Sequence, residues 1–318
     1  MIDDLYDHLR SLEEYRHLSE TDFQVEPLQT LDHSEVYRIH LTSPPASLIV
    51  KRSGGADTAG LAERERRFYQ HLAPRLPAGL VPACRLVVPS SGLILEDLSA
   101  SHAVVRDRNP SFAEYRGLVE ALAILHGCTE GDAELRSQWM AVARELPAAT
   151  LAQRLSFFQH RLPGFLDQVR DRLDSDDLRF LLQLRNLDAR IHPDSLAGTS
   201  LVHGDAHVGN VLFAADDRAC LIDWGMPMLA VGEVDLAHAL ALNLPRELRR
   251  QWERDLIQTY LEQRSVDHNE AFEVRYRFGV LYSFVSPVAW WSAGVAESHW
   301  WPALMNLLDA ARERELLS

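Results

Sequence analysis

The sequence predicts an α+β protein with two lobes: a small antiparallel sheet carrying one helix, followed by a mainly helical region. Three short runs rich in β-branched and aromatic residues, DFQVEPLQTL, EVYRIHLT and ASLIVKRS, are separated by turn-prone residues, which is the pattern of neighbouring strands. Beyond Ser99, apolar residues recur mainly with helical spacing. We therefore expect a first lobe over residues 1–98 and a second lobe over residues 99–318.

One helix and one hairpin complete the predicted first lobe. In the segment GADTAGLAERERRFYQHLAPRL, Leu61, Phe68 and Leu72 fall on one helical face. The next segment, ACRLVVPSSGLILEDLS, indicates two strands that turn at Ser90–Gly92. The boundary between the lobes is placed where this hairpin ends, near Leu98.

The second lobe opens with a well-marked helix, PSFAEYRGLVEALAILHG. Ser111 and Glu114 have the spacing of a capping box at its start, and Gly127 predicts its end. Two short strand-like runs further on, NVLFA and ACLIDW, predict a hairpin. Further helical runs are predicted near 134–146, 151–172 and 176–190, and again after 231.

The composition restricts the classes of partner. The chain has 318 residues and a formal net charge of -14, so no basic surface dominates and a nucleic-acid partner is not expected. Cys84, Cys128 and Cys220 have neither pairing nor zinc-site spacing, which suits a reducing, cytoplasmic compartment. The acidic, amphipathic N-terminus does not have the pattern of a signal peptide. The uncharged segment Phe278–Ala296 has nearly the length of a membrane span, but Pro287 and several glycines and serines favour a buried helical hairpin, so no membrane is expected.

Lys51 is the only lysine of the chain, in which lysine and arginine together number 32. Ordinary surface positions therefore accept arginine. A remaining lysine marks a position where a compact point charge is needed and a planar guanidinium does not fit, or else it remains by chance.

The segment SLVHGDAHVGNVLFAADDRACLIDWG, from Ser200 to Gly225, concentrates polar residues between apolar runs. The predicted hairpin brings Asp205, Asn210 and Asp223 to one rim. Magnesium typically takes one or two carboxylates together with substrate phosphates. An asparagine and an aspartate on adjacent strands, with a second carboxylate free to take a proton, fit a site for phosphoryl transfer.

These motifs resemble the aminoglycoside phosphotransferase and choline kinase group, which are small-molecule phosphotransferases with a protein-kinase-like two-lobed fold. HGDAHVGN resembles the catalytic loop of that group, and IDWG resembles its version of the Asp-Phe-Gly motif. Five further segments resemble family motifs. IVKR resembles the lysine strand, ERERRFY the glutamate helix and LILEDL the hinge. LAILHG resembles the first helix of the second lobe, and GEVDLAHAL resembles the segment that braces the catalytic loop. The matches run in the expected order over residues 25–242.

The resemblance implies ATP- and Mg²⁺-dependent transfer of the γ-phosphate to a hydroxyl group of a small molecule, such as an amino alcohol, an amino sugar or a related metabolite or antibiotic. It implies that Asp205 is the catalytic base and that Asn210 and Asp223 bind magnesium. Lys51 would bind the nucleotide phosphates and Glu65 would pair with it. The hinge backbone that meets adenine would comprise Glu96, Asp97 and Leu98.

One feature departs from the group, whose members usually cover the phosphates with a glycine-rich turn. No glycine occurs between Leu28 and Arg38, so either Asp32–Ser34 makes that turn with ordinary residues or the grip on the nucleotide is weaker. This departure gives weight to a second hypothesis, a catalytically weak nucleotide-binding pseudoenzyme.

A third hypothesis is a metal-dependent hydrolase, since His203, Asp205 and His207 form a His-x-Asp-x-His run. It leaves the lysine strand and the hinge motif unexplained. We instead expect structural roles for His203, which would hold the loop through the backbone, and for His126 and Asp235.

The acceptor pocket is expected among the C-terminal helices. These contain several tryptophans, with Glu297 and His299 nearby, and an aromatic cage for an ammonium group is one reading. Ordinary helix packing is the other reading. The tryptophans concerned are Trp252, Trp290, Trp291, Trp300 and Trp301.

Overall fold

A computed structural model describes residues 2–17, 19, 22–31, 34–42, 47–53, 59–88, 92–105, 109–143, 145–146, 149–187 and 199–316. Several predicted features lie wholly or partly outside these residues, among them the turns at Asp32–Ser34 and Ser90–Gly92, residue 144 of the helical run 134–146 and the end of the helical run 176–190. The first lobe contains a five-stranded sheet and two helices. Its elements are α1 (Ile2–Ser11), β1 (Phe23–Leu31), β2 (Ser34–Leu41), β3 (Ser47–Ser53), α2 (Ala59–His71), β4 (Cys84–Val88) and β5 (Gly92–Glu96).

The sheet has the order β1-β2-β3-β5-β4, and all its pairs are antiparallel. Because successive side chains of a strand point to opposite faces, a strand contributes side chains to the hydrophobic core on each face of the sheet. Ile94 packs with Leu9 and Tyr15 on the face covered by the N-terminal segment. Leu93 packs with Phe68 of α2 on the other face. β5 is therefore buried on both faces, and the α2 side of the sheet faces the second lobe.

The second lobe is built from helices around three short strand pairs. Ser111 and Glu114 form the predicted capping box, but α3 continues past Gly127 to Thr129 because the Glu130 N–H still bonds to the His126 carbonyl. The helices are α3 (Phe112–Thr129), α4 (Ala133–Ala143), α5 (Leu151–Val169), α6 (Ser175–Gln183), α7 (Glu233–Ala237), which a π-helical turn (His238–Leu242) continues, α8 (Arg246–Arg264), α9 (Glu270–Ser283), α10 (Val285–Ser292) and α11 (Glu297–Glu313).

Two small antiparallel sheets hold the loops between the lobes. The predicted hairpin is present as β8 (Val211–Ala214) and β9 (Ala219–Leu221), and β6 (His102–Val104) adds a third strand that the sequence did not indicate. β7 (Thr199–Val202) pairs with β10 (Met228–Val231). The strand ends and the turns between these sheets carry most of the residues singled out from the sequence.

The uncharged segment from Phe278 to Ala296 forms neither a single span nor one isolated hairpin. It comprises the end of α9, a break at Phe284, the whole of α10 and the turn that leads into α11. α10 packs against α5 and α11. Within the described residues, no helix is both long enough and apolar enough to cross a membrane.

Candidate active site

The loop between β7 and β8 is fixed by hydrogen bonds that leave one carboxylate projecting from it. His203 Nε2 donates to the Ile222 carbonyl at 2.9 Å, and its Nδ1 accepts from the Asp205 N–H at 3.3 Å. Gly204 has a φ of 81°, and a Cβ at this position would lie 1.9 Å from the Met226 carbonyl oxygen. Only glycine fits this bend, which turns Asp205 out of the loop.

Asp235 braces this loop from below. Its Oδ2 accepts from the His203 N–H at 2.6 Å, and its Oδ1 accepts from the Gly204 N–H at 2.8 Å. His126 Nε2 donates to the same Oδ2 at 3.1 Å, and His126 Nδ1 contacts the Tyr260 hydroxyl at 2.8 Å. The structural roles predicted for His203, His126 and Asp235 are thus confirmed: a buried chain ties the loop to α3 and α8.

Asp205 lies among polar groups that hold its carboxylate ionised. Asn210 Nδ2 donates to its Oδ2 at 3.0 Å. His238 Nε2 lies 3.2 Å from its Oδ1, off the direction of a hydrogen bond, and His207 Nε2 lies 3.8 Å from its Oδ2. Burial raises the pKa of Asp205, but the neighbouring His238, His207 and His203 outweigh it and lower the pKa overall. The carboxylate is therefore anionic throughout the physiological pH range.

The sole lysine connects the two lobes at this site. Lys51 Nζ donates to Glu65 Oε1 at 2.9 Å and to Asp223 Oδ1 at 2.7 Å, so the predicted pairing with Glu65 is present. Burial lowers the pKa of Lys51, but the two carboxylates outweigh it and raise the pKa overall. Glu63, the other acidic residue of the helix motif, pairs instead with Arg66 and Arg67. The ammonium group is thus a point charge held between two carboxylates.

Asp223 is held in a constrained position beside the lysine. Its φ is 65°, in the left-handed region that few residues other than glycine occupy, although aspartate tolerates it better than most. The next residue, Trp224, donates its N–H to Glu65 at 3.1 Å and stacks on Phe68 with ring centroids 3.8 Å apart. Asp223 and Glu65 are therefore positioned by the same contact between the lobes.

The donor atoms near Asp223 suit a hard cation. The Asp223 side chain is 53% exposed, so its second carboxylate oxygen is accessible. Both described hydrogen bonds of the Asn210 side chain are donated by Nδ2, so Oδ1 is the atom with which this side chain would contact a metal ion. One carboxylate and one amide oxygen match what magnesium takes from proteins when phosphates supply the remaining ligands.

The hinge residues lie apart from the cavity that contains these groups. Glu96 accepts from the Ala83 N–H at 2.7 Å through its side chain, and Asp97 accepts from Arg38 Nε at 2.7 Å. Side-chain contacts therefore fix the strand end that carries Leu98. The role of this backbone in meeting adenine stays a prediction.

A cavity of about 990 Å³ lies between the two lobes and is lined by residues of both. Lys51, Glu65, Asp205 and Asp223 line it, whereas Asn210 and the hinge residues do not. The remaining lining comes from the strands and α2 of the first lobe and, on the opposite side, from the loops of the second lobe and from α5, α9 and α10. It includes Arg154, which lies outside the motifs listed above, and His238, which lies within GEVDLAHAL but was not singled out because only Asp235 of that segment was assigned a role.

The C-terminal tryptophans do not form one cage. Trp301 stacks under the Arg172 guanidinium at 3.6 Å, and Arg172 also pairs with Glu297. Trp290 alone among the five lines the cavity. The other three pack in the helical core: Trp291 and Trp300 against Phe165, and Trp252 against Phe112 and Tyr115.

The geometry also counts against the metal-dependent hydrolase. Both ring nitrogens of His203 are engaged by the backbone, and His207 Nδ1 accepts from the Gly209 N–H at 3.1 Å. Across the part of the chain that the structure describes, no group of three or more His, Cys, Asp or Glu side chains is arranged to hold a metal ion.

Comparison with known proteins agrees with this geometry. The sequence profile of the phosphotransferase enzyme family matches residues 25–271. A comparison with curated protein sequences gives no significant match.

Three solved structures illustrate the shared fold. The choline kinase of Cryptosporidium parvum superposes with a TM-score of 0.67 at 11% identity, over 100% of this chain and 96% of that one. The ethanolamine kinase of Plasmodium vivax gives 0.66 at 16% identity, over 98% and 89%. A spectinomycin phosphotransferase, solved with ADP and spectinomycin, gives 0.59 at 15% identity, over 98% of both chains. These similarities establish a kinase-like phosphotransferase fold.

Proposed function

The chain belongs to the phosphotransferase enzyme family, and from this premise we propose that it transfers the γ-phosphate of ATP to a hydroxyl group of a small molecule with the help of Mg²⁺. The observation that carries the proposal is the meeting of Asp205, Lys51 and Asp223 at one cavity. Each has the charge and accessibility that its role requires.

Asp205 would orient the acceptor hydroxyl and accept its proton. Its low pKa makes it a weak base, which suits a loose transition state in which the hydroxyl loses its proton late. Asn210 holds the carboxylate from one side at 3.0 Å, so the direction of the hydroxyl is fixed before the reaction.

Lys51 would neutralise phosphate oxygens that are not transferred. Its ammonium already contacts two carboxylates, so an incoming phosphate competes with Asp223 for it. Asp223 and Asn210 would hold Mg²⁺, which supplies charge neutralisation when bound. Glu65 keeps the lysine in place, and the Trp224 N–H fixes Glu65 in turn.

Replacing Asp205 with Asn tests the proposal. The amide preserves the shape but loses the negative charge, and general-base assistance is typically worth about 10²–10⁴-fold in rate. We expect ADP formation with a cognate alcohol to fall by that order while the affinity for Mg-ATP stays near that of the wild type. Full turnover by Asp205→Asn would contradict the assignment. A wild-type protein that binds Mg-ATP but phosphorylates no alcohol of a broad panel would favour the pseudoenzyme.

A further inference from the structure

One wall of the cavity is formed by part of the helical lobe, and among the described residues that line this wall Arg154 is the only charged one. The wall comes from α5, α9, α10 and the turn after α10. Its principal members are Arg154, Phe157, Tyr282, Ser286, Trp290 and Val295. Among the described residues that line the whole cavity, the carboxylates are Glu65, Asp205, Asp223 and Asp235. None of these four belongs to the wall.

Each carboxylate of the cavity already has another partner. Glu65 and Asp223 bind Lys51, and Asp235 accepts the backbone N–H groups of the catalytic loop. Asp205 is directed to the acceptor hydroxyl itself. An acceptor that carried ammonium groups would therefore find no free carboxylate along the wall on which its body rests.

Arg154 gives the wall a positive charge instead. Its side chain is 3% exposed and donates from Nη2 to the Met226 carbonyl at 2.7 Å and to the Pro227 carbonyl at 3.3 Å. The guanidinium is thus fixed to the backbone just beyond the Asp223 turn. Because buried charges are poorly screened by water and salt, it disfavours a cation in the cavity more than a surface arginine would.

The rest of the wall is apolar and partly open to solvent. Phe157 and Val295 are each 38% exposed at the cavity, and Trp290 is only partly buried. Large apolar side chains exposed within one cavity are typical of a surface that a ligand covers. The wall therefore offers apolar contact area to the body of a bound molecule.

We infer that the acceptor is an alcohol with an apolar body and no fixed positive charge, bound with its hydroxyl toward Asp205 and its body against Phe157, Trp290 and Val295. This inference rests on the phosphotransferase function proposed above. An uncharged alcohol is compatible with the charge of the wall, and so is an alcohol whose carbonyl or carboxylate oxygen faces Arg154. Amino sugars and quaternary amino alcohols do not.

A matched pair of alcohols tests the inference. Choline and 3,3-dimethylbutan-1-ol have the same shape and differ by a positively charged nitrogen in place of a carbon. Their binding to the full chain is measured without nucleotide by ligand-observed NMR titration, and their phosphorylation by ADP release. We expect the neutral alcohol to bind more tightly by about tenfold or more. The reason is that repulsion between the choline nitrogen and Arg154 lowers the affinity by about that factor.

Equal or tighter binding of choline would overturn the inference, and so would the binding of neither compound. The two readouts keep the proposals separate. A preference for the neutral alcohol in the titration supports the inference even when no ADP forms. Absence of ADP formation with every alcohol tested counts against the phosphotransferase function alone.

A charge placed on the wall tests where the acceptor body lies. Ser286 is partly exposed in the cavity, so Ser286→Asp supplies the missing carboxylate and Ser286→Asn is a control of nearly the same size. We expect the ratio of choline affinity to 3,3-dimethylbutan-1-ol affinity to rise about tenfold in the Asp variant and to stay near wild type in the Asn variant. Equal ratios in the two variants would place the acceptor elsewhere. Ala289→Asp, one helical turn further along α10, repeats the test if Ser286→Asp unfolds.

Discussion

The bracing of the catalytic loop by Asp235 leads to a prediction about stability. Asp235 has no exposed surface, and its two oxygens accept three hydrogen bonds, from the N–H groups of His203 and Gly204 and from His126 Nε2. Asp235→Asn changes one oxygen into an NH₂ group and adds no volume. The variant therefore tests the hydrogen bonds without creating a cavity.

Neither orientation of the new amide satisfies the loop. An NH₂ group at the Oδ2 position faces the His203 N–H across 2.6 Å, and at the Oδ1 position it faces the Gly204 N–H across 2.8 Å. The variant loses a charge-assisted bond, worth about 1.5–3 kcal/mol, and leaves a buried donor unsatisfied, which costs about 1–3 kcal/mol. We expect the free energy of unfolding to fall by about 3–5 kcal/mol, the range for breaking a buried charged pair.

Urea denaturation measures this change, with Asp216→Asn as the control. Asp216 is exposed and pairs with its neighbour Arg218, so its replacement should leave the midpoint of denaturation unchanged within error.

The contribution of Asp235 to stability also depends on pH. Burial raises the pKa of Asp235, but His126, His203 and the Gly204 N–H lower it overall. Its stabilisation is thus complete above the unfolded-state pKa of about 3.9 and is lost as the pH falls through the lower folded-state value. The gap between wild type and variant should be constant from about pH 6 to 8 and should shrink in strong acid. An Asp235→Asn variant with a wild-type midpoint and wild-type turnover would refute the bracing role.

Three further predictions concern the site itself. Lys51→Arg should lower kcat/KM for ATP by about 10²-fold, because a forked guanidinium does not fit between Glu65 and Asp223. Wild-type values in steady-state kinetics would mean that the lysine remains at this position by chance. Asp223→Asn should abolish Mg²⁺-dependent nucleotide binding, since an amide is a poorer ligand for a hard dication, and unchanged Mg-ATP affinity by calorimetry would remove Asp223 from the metal site. His238→Phe keeps a ring but removes the imidazole beside Asp205, so kcat should fall by about tenfold with KM for ATP unchanged; a change in KM alone would assign His238 to nucleotide binding.

The local features of the fold follow from sequence patterns because they depend on residues close together in the chain. Strand alternation predicts the sheet, and the capping box at Ser111 sets the start of α3. The helix end predicted at Gly127 was wrong. The Glu130 N–H and the Thr129 hydroxyl still bond to preceding carbonyls, so α3 continues to Thr129. A glycine permits a helix end, and the bonds of the following residues decide it.

The features that the sequence did not indicate depend on contacts between distant segments. β6 is only three residues long and becomes a strand by pairing with β8, more than a hundred positions later. His238 approaches Asp205 only because a π-helical turn continues α7 under the catalytic loop. Trp291 and Trp301 lie only ten positions apart in sequence yet contact different neighbours, Phe165 and Arg172, since α10 and α11 pack against other helices. No local pattern carries this information.

The residues proposed for phosphate transfer and those proposed for the choice of acceptor lie in separate parts of the chain. Hydrogen bonds from other segments fix the groups proposed for phosphate transfer: Asp235 holds the loop of Asp205, and the N–H of Trp224, the residue after Asp223, bonds to Glu65. None of these contacts involves α9 or α10, which form the apolar wall. If the proposed function holds, we therefore expect a substitution on the wall, such as one at Ser286, to change which alcohol is bound while Lys51, Asp205 and Asp223 stay in place. Shared motifs for phosphate transfer are consistent with acceptors as different as choline and an apolar alcohol, because the selecting residues lie on helices that those motifs do not include.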